Sequence, residues 1–199
     1  MTPSPVELDP NSALVLIDLQ EGIARRATLP HAANDVVARS AALAKGFRSK
    51  GLPVILVTVG WAADMADAPR QKYAAAIPAP ADPAIFSAIV PELGAEPTDI
   101  IVRKHQWGAF HGTDLDVQLR RRGITQIVLA GIATNMGVES TARAAWEHGY
   151  SILVVEDATS SFSTEMHRFA FDNIFPRLGL VTDGEAVLAG LSNGAGKDR

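Results

Sequence analysis

Short apolar runs alternate along this chain with stretches in which apolar residues recur at the spacing of a helix. Each run is rich in β-branched residues and short enough to cross a sheet once, which predicts buried strands. We expect strands over 13–17, 53–59, 100–102, 125–130, 151–155 and 180–181. The helical spacing predicts helices over 31–50, 113–122, 135–148 and 164–175, and a last helix that begins at a capping box in 182–185.

This alternation of strands and helices predicts one α/β domain. A strand, a helix and a second strand in this order form a right-handed crossover, so the sheet is mostly parallel with helices on both faces. The composition changes nowhere abruptly, and the sequence has no internal repeat. We therefore expect residues 1–199 to form a single domain, with residues 1–11 as a lead-in and residues 192–199 as a flexible tail.

The carboxyl ends of the predicted strands indicate where a ligand would bind, because open parallel sheets hold ligands beyond these ends. The candidates at this edge are Asp18, Gly60, Trp61, Lys104, the turn at 133–137, and Asp157. If Asp18 and Lys104 are buried close together, each stabilises the charged form of the other. Desolvation would instead raise the pKa of Asp18 and let it act as an acid near neutral pH. Alternatively, Asp18 caps a loop and Lys104 is a solvated strand end.

The predicted site depends most on residues 127–143, which read IVLAGIATNMGVESTAR. Gly131 breaks the strand, and Thr134 or Asn135 can cap the helix that follows. A strand, a tight turn and a helix N-terminus in this order can hold an anion or a developing oxyanion. Because many such turns bind nothing, the turn alone does not establish a function.

The composition is that of an ordinary globular domain, with 47% hydrophobic and 20% charged residues. A net charge of -4 argues against a nucleic-acid or anionic-membrane partner. The chain has no cysteine, which excludes disulfides, thiolate metal sites and a cysteine nucleophile. The sequence carries no secretory signal and no apolar run long enough to span a membrane, so we expect a cytoplasmic protein.

Four segments in order resemble the isochorismatase-like hydrolases: LVLIDLQ at 14–20, VRKHQWGAFHGTDLDVQLRRRGI at 102–124, LAGIATNMGVESTARAAWEHGY at 129–150 and VVEDATSS at 154–161. The resemblance covers residues 12–181. It implies a single-domain, Rossmann-like three-layer sandwich whose six-stranded parallel sheet has the strand order 3-2-1-4-5-6. It also implies a site at the carboxyl edge, a non-proline cis peptide bond near Ile132–Ala133, and a homodimer or homotetramer.

The resemblance also implies catalytic roles, because the family's catalytic aspartate and lysine fall on Asp18 and Lys104. The family's usual cysteine falls on Gly137, so the thioester chemistry of the amide-cleaving members is excluded for this chain. The isochorismatases proper work without that thiol and can carry glycine there. They cleave a vinyl ether by protonating its methylene carbon, and pyruvate leaves. Asp18 would be this acid, and Lys104 would orient it and neutralise a substrate carboxylate.

Around this pair we expect a pocket for a small-molecule substrate. Backbone amides from Ala133 to Gly137 would hold a carboxylate or oxyanion, and the bare glycine would leave room for the substrate. Trp107 and Phe110 are candidate pocket walls, although aromatic residues beside a strand end also serve as core packing. The complete set of expected substrate-binding residues is Gln20, Trp107, Phe110, Ala133, Thr134, Asn135 and Gly137.

The remaining expectations concern cofactors and alternatives. Metal-binding relatives carry an Asp-x-His after the second strand, which this chain lacks, and its five histidines show no ligand spacing, so we expect no metal. No dinucleotide or phosphate-loop fingerprint is present, so we expect no cofactor. The long segment 61–83 is either a flap over a ligand or a subunit contact. The alternative to a hydrolase is a small-molecule-binding member that has lost its nucleophile. A nucleotide-binding module would rest on fold analogy alone.

Overall fold

The computed structural model describes residues 6–193 as one α/β domain built on a single parallel sheet. The strands are β1 Ser12–Ile17, β2 Val54–Val59, β3 Ile100–Lys104, β4 Gln126–Ile132, β5 Ser151–Ser160 and β6 Leu180–Thr182. Every neighbouring pair is parallel, and the order across the sheet is β3-β2-β1-β4-β5-β6. The expected fold class and strand order are therefore confirmed.

Helices cover both faces of the sheet, as the alternating pattern predicts. They are α1 Glu21–Ala24, α2 Ala33–Ser49, α3 Pro83–Ser87, α4 Leu115–Arg121, α5 Glu139–Glu147, α6 Thr164–Phe169, α7 Phe175–Leu178 and α8 Gly184–Asn193. Wider π-helical turns occupy Thr134–Val138 and Ala170–Ile174, and a short 3-10 turn occupies Pro91–Leu93. No helix within residues 6–193 is long and apolar enough to cross a membrane.

The central strand β1 shows how side chains alternate between two cores. Leu14 and Leu16 pack on one face against α2 and α8, while Ala13, Val15 and Ile17 pack on the other against α4, α5 and α7. All six residues of β1 are buried. Because β1 lies between β2 and β4, its carboxyl end opens into the middle of the sheet edge, where Asp18 follows.

Strand β5 departs from the prediction, which ended it at residue 155 and placed a polar loop up to residue 163. The strand instead continues to Ser160 after an irregularity in its pairing with β4. Thr159 and Ser160 of this extension are buried because their hydroxyls find partners: Thr159 donates to the Val155 carbonyl and Ser160 to the His31 carbonyl, each at 2.7 Å. The expected position of Asp157 at the ligand edge is also wrong. Its carboxylate instead accepts from the Gly184 amide and pairs with Arg39.

Two helix boundaries also differ from the prediction. Pro176 does not stop the helix after α6, because the chain passes through a π turn and begins α7 with this proline near its start, where its missing N–H costs least. The capping box predicted at 182–185 is replaced by Asp183, whose carboxylate accepts from the Ala186 amide at 2.8 Å. Residues 192 and 193 of the expected tail belong to α8, and residues 194–199 and 1–5 lie outside the described part of the chain.

Candidate active site

The site begins with Asp18 and Lys104, which follow β1 and end β3 on the same edge of the sheet. Lys104 Nζ donates to Asp18 Oδ2 at 2.8 Å and to the Gln106 carbonyl at 3.2 Å. The side chains are only 1% and 8% exposed. Asp18 has a left-handed backbone, with φ of 54°, which is unfavourable for a residue with a side chain. Its amide is nevertheless fixed by the Val57 carbonyl at 2.9 Å.

Two opposing effects set the pKa of the Asp18 carboxyl. Burial raises its pKa from 3.8 to about 6, although the charge and the hydrogen bond of Lys104 lower it. Oδ2 is held by the ammonium, whereas Oδ1 is buried and has no hydrogen-bond partner within residues 6–193. This carboxyl can therefore hold a proton near neutral pH, and its Oδ1 is not engaged by any other group within residues 6–193.

Gly137 lies against the Asp18–Lys104 pair, and these three residues form one corner of the site. A Cβ atom built on Gly137 would lie 2.8 Å from Ile17 Cγ2, 3.2 Å from Asp18 Oδ2 and 3.4 Å from Lys104 Nζ. Any side chain here would meet the Asp18–Lys104 pair directly and would first have to displace the Ile17 methyl group. The glycine therefore allows the backbone of the 134–138 turn to approach the pair closely.

A cavity of about 630 Å³ opens beside this corner. Asp18, Lys104 and Gly137 line it together with the largely apolar walls of Val59, Trp61, Phe86, Ile132, Ala133, Met136 and Phe162. The peptide bond between Ile132 and Ala133 is cis, as the family resemblance implies. A volume of this size is in the range of small-molecule sites.

The cavity brings together some of the expected substrate-binding residues. Trp107, Ala133 and Gly137 line it, and the indole of Trp107 is 61% exposed. The helix start between Ala133 and Gly137 is less open than expected, because the Met136 amide donates to the Ala133 carbonyl at 3.1 Å. The binding roles of these residues remain predictions.

The side chains of four other expected residues are engaged elsewhere. Gln20 is fully buried, and its amide bonds the Val59 backbone and the Phe86 carbonyl, which holds one cavity wall. Phe110 stacks on His148, Thr134 pairs with His167, and Asn135 accepts a hydrogen bond from Ser161. None of these four residues is among those that line the cavity.

Sequence reasoning overlooked a cation at the cavity wall. Arg26 lines the cavity, and its guanidinium lies 4.3 Å from the centre of the Phe162 ring. It forms no ion pair with any residue in 6–193. Lys104 is hydrogen-bonded to Asp18, whereas Arg26 supplies positive charge that no described residue pairs with and that is available for an anionic ligand. The sequence pattern predicts no element over residues 21–26, so it gives no signal that places Arg26 at the cavity.

The segment from Trp61 to α3 supplies the outer wall. Its residues 61–82 form no helix or strand, and Pro69, Gln71 and Ile77 line the cavity. Trp61 is anchored by a hydrogen bond from its indole N–H to the His105 carbonyl at 2.8 Å. The segment therefore forms part of the cavity wall, and both expected roles, a flap over a ligand and a subunit contact, stay predictions.

The fold and the site define a class of protein: a parallel α/β protein with a buried acid–lysine pair at the carboxyl edge of its sheet and a ligand cavity beside it. Residues 12–186 match the isochorismatase domain family, which is most of the chain. The protein therefore belongs to the isochorismatase family.

Individual relatives agree with this assignment. The isochorismatase family protein YecD from Escherichia coli O157:H7 is 51% identical over 180 residues, covering 90% of this chain and 96% of that protein. A solved isochorismatase family protein from Burkholderia thailandensis superposes with a TM-score of 0.91 at 52% identity, covering 95% of this chain and all of that one (100%). The ureidoacrylate amidohydrolase RutB from Methylobacterium radiotolerans is 33% identical over 214 residues, covering 95% of this chain and 83% of that protein. These relationships support a hydrolase.

Proposed function

We propose that this protein is a hydrolase of a small carboxylated substrate, and that the substrate is a vinyl ether which Asp18 protonates. The observation that carries the proposal is the buried Asp18 carboxyl at the cavity. Its Oδ2 is held by Lys104 and lies against the bare Gly137, and its Oδ1 has no hydrogen-bond partner within residues 6–193. The chain has no cysteine, so the chemistry needs a route other than a thioester.

The proposed reaction begins with a proton transfer. The vinyl ether uses its π electrons to form a C–H bond between its methylene carbon and the Asp18 proton, and the O–H bond of Asp18 breaks. This leaves an oxocarbenium ion and an Asp18 carboxylate. Water adds to the cationic carbon and returns a proton to the carboxylate. The resulting hemiketal breaks its bond to the ether oxygen, giving pyruvate and an alcohol, so that one water is consumed overall. Lys104 keeps its hydrogen bond to Asp18 while the carboxylate is charged and stabilises that charge.

The apolar cavity contributes to this reaction in two ways. It keeps Asp18 desolvated, which raises its pKa to about 6 and leaves a proton available near neutral pH. It also limits the water that reaches the oxocarbenium ion to what enters at the open side of the cavity. Arg26 is positioned at the wall to hold a carboxylate of the substrate, since it forms no ion pair with any described residue.

The test measures pyruvate release from isochorismate and from simpler enolpyruvyl ethers. Lactate dehydrogenase converts the pyruvate, and the loss of NADH absorbance reports the rate. We expect turnover by the wild type and a loss of about 100- to 10,000-fold in kcat for Asp18→Asn, the usual range for a general acid. Asp35→Asn, an exposed acid in the first turn of α2, is the matched control and should keep full activity. Circular dichroism confirms that each variant is folded. A wild type that releases no pyruvate from any enolpyruvyl ether contradicts the proposed substrate.

A second candidate, a small-molecule-binding member without catalysis, is favoured by one observation. The RutB relative is an amidohydrolase by name, and this chain has glycine where the amide-cleaving members of the family carry their thiol. Ureidoacrylate is therefore included in the substrate panel. If the wild type cleaves neither substrate class but Gly137→Cys gains amidase activity, the surrounding machinery is of the amidase type and the binding role is the better description.

A further inference from the structure

Three chain segments bring His31, Glu156 and His167 together on the far side of the turn that carries Gly137. His31 precedes α2, Glu156 lies in the extension of β5, and His167 lies in α6. One nitrogen or carboxylate oxygen from each residue lies within 4.8 Å of the others. His167 is 1% exposed, whereas the Glu156 side chain is 53% exposed, so the cluster is buried at one end and open to solvent at the other.

The two imidazoles have buried nitrogen atoms that nothing satisfies. Nε2 of His31 and Nε2 of His167 have no hydrogen-bond partner within residues 6–193. Nearly all buried polar groups in proteins are paired, so two orphaned nitrogens on facing rings require an explanation. The rings lie edge to face with their centres 5.8 Å apart, and His167 Nε2 is 3.9 Å from Glu156 Oε1.

The surrounding contacts position both residues without using these nitrogens. The His31 carbonyl accepts from Thr28 Oγ1 and Ser160 Oγ, each at 2.7 Å, which fixes its backbone. His167 Nδ1 lies 2.8 Å from Thr134 Oγ1. Burial, followed by the neighbouring His31, lowers the pKa of His167 to about 4, so its imidazole is neutral and keeps a lone pair.

We infer that His31, Glu156 and His167 form a zinc site separate from the active-site cavity, with a fourth position open to water. Two imidazole nitrogens and one carboxylate oxygen are a three-residue ligand set that Zn²⁺ accepts. Tetrahedral coordination with bonds of about 2.0–2.1 Å places ligand atoms about 3.3 Å apart. The present spacing is wider, and the exposed Glu156 side chain has the freedom to close it.

Zinc at this position would be linked to the active-site turn through the contact between His167 and Thr134. None of the three ligands lines the cavity. Coordination of His167 through Nε2 would make Nδ1–H the donor to Thr134 Oγ1, as second-shell hydrogen bonds do in known zinc sites. Thr134 begins the π turn that carries Gly137, so the metal would brace that turn. The expected role is structural, and it does not depend on the proposed hydrolase reaction.

The test uses the full chain without an affinity tag, stripped with chelator and titrated with zinc chloride by calorimetry. We expect one zinc per chain with a Kd in the micromolar range or tighter, and a rise of several degrees in Tm at 100 times Kd. Magnesium at the same concentrations should give no heat, because imidazole nitrogen is a poor ligand for it. Cobalt substitution should give the visible absorption of a tetrahedral site.

Substitutions then locate the metal. Glu156→Gln and His31→Gln should each weaken zinc binding at least tenfold, and Glu156→Gln carries most weight because its exposed side chain is unnecessary for folding. Glu147→Gln and His111→Gln, both exposed and remote from the cluster, are the matched controls and should bind as the wild type does. No zinc binding in the wild type, binding unchanged by both cluster substitutions, or equal binding of magnesium overturns the inference.

Discussion

Two ion pairs in this protein have the same nitrogen–oxygen distance and opposite surroundings. Lys104 Nζ and Asp18 Oδ2 are 2.8 Å apart, with side chains 1% and 8% exposed. Arg25 Nη2 and Glu21 Oε1 are also 2.8 Å apart, but their side chains are 43% and 26% exposed. Arg25 additionally pairs with Glu92 at the surface. The comparison sets a buried carboxyl beside an exposed one, each held by a cation at the same nitrogen–oxygen distance.

The pKa values of the two carboxyls move in opposite directions. The hydrogen bond from Arg25 lowers the pKa of Glu21, because it favours the charged carboxylate and outweighs the small desolvation of this group. Burial raises the pKa of Asp18 to about 6 even though Lys104 acts to lower it. Surroundings rather than distance therefore decide the chemistry. Glu21 is a permanent anion, whereas Asp18 can exchange a proton near neutral pH.

The largest effect is expected from removing the cation of the buried pair. Lys104→Met leaves the Asp18 carboxyl buried without its partner, which should lower the free energy of unfolding by about 3–5 kcal/mol. Urea unfolding near neutral pH measures this loss. Lys45→Met, on the exposed side of α2, is the matched control and should change stability little. Adding Asp18→Asn to Lys104→Met should recover part of the loss, and a loss below about 1 kcal/mol for Lys104→Met would mean that the pair is effectively solvated.

The next effect comes from filling the space beside the buried pair. Gly137→Ala places a Cβ 2.8 Å from Ile17 Cγ2 and should destabilise the protein by about 1–3 kcal/mol through overpacking. Gly184→Ala is the control, because its Cβ would lie 3.5 Å from Asp157 Oδ1, an ordinary contact. Thermal unfolding of the two variants compares them. If both are equally stable, the corner around Gly137 is looser than the contact distances indicate.

The pH dependence of activity should follow the raised pKa of Asp18. If Asp18 must be protonated in the free enzyme, kcat/KM falls about tenfold for each pH unit above 6, which is about 1.4 kcal/mol per unit. Pyruvate release measured from mildly acidic to mildly basic pH gives this profile. A rate that rises with pH over the same range would instead assign Asp18 the role of a base.

The same pKa has a consequence for stability. Because the folded pKa of about 6 exceeds the ordinary 3.8, the native state binds this proton more tightly than the unfolded state does. The contribution of Asp18 is therefore fully present below pH 3.8 and is lost as the pH rises through 6. The difference in unfolding free energy between wild type and Asp18→Asn should show this slope, since other carboxyls cancel in the difference.

The smallest effect on stability is expected at the exposed pair. Arg25→Gln should leave the midpoint of urea unfolding nearly unchanged, because exposed ion pairs contribute little. The adjacent Arg26→Gln should be equally mild for stability but should raise KM about tenfold, because it removes a charge from the cavity wall. A KM that rises equally in both variants would mean that Arg26 acts only through the general surface charge.

The sheet could be predicted from the sequence because its buried strands are continuous runs of apolar residues, which the sequence shows directly. Asp18 and Lys104 could be found for the same reason, since each lies where such a run ends. From the residues themselves, their joint burial is only one of two alternatives. It depends on the close approach of Gly137, which belongs to a turn more than a hundred residues after Asp18.

The sequence did not predict the contacts of polar residues whose partners are distant along the chain. The sequence around Ser160 is typical of a polar loop, but in the structure the Ser160 hydroxyl donates a hydrogen bond to the His31 carbonyl. Gln20 and Asn135 look available for a substrate, but one bonds the Val59 backbone and the other Ser161. A polar side chain follows no hydrophobic period, so the sequence pattern cannot tell whether it faces a ligand or a partner brought close by folding.

Residues 61–82 form no helix or strand, and they supply the outer wall of the cavity from a part of the chain separate from Asp18, Lys104 and Gly137. Pro69, Gln71 and Ile77 can be exchanged, or the segment lengthened, without altering a single strand pairing. A lineage with this architecture can therefore inherit its acid unchanged while it acquires a new preference among molecules, one surface residue at a time.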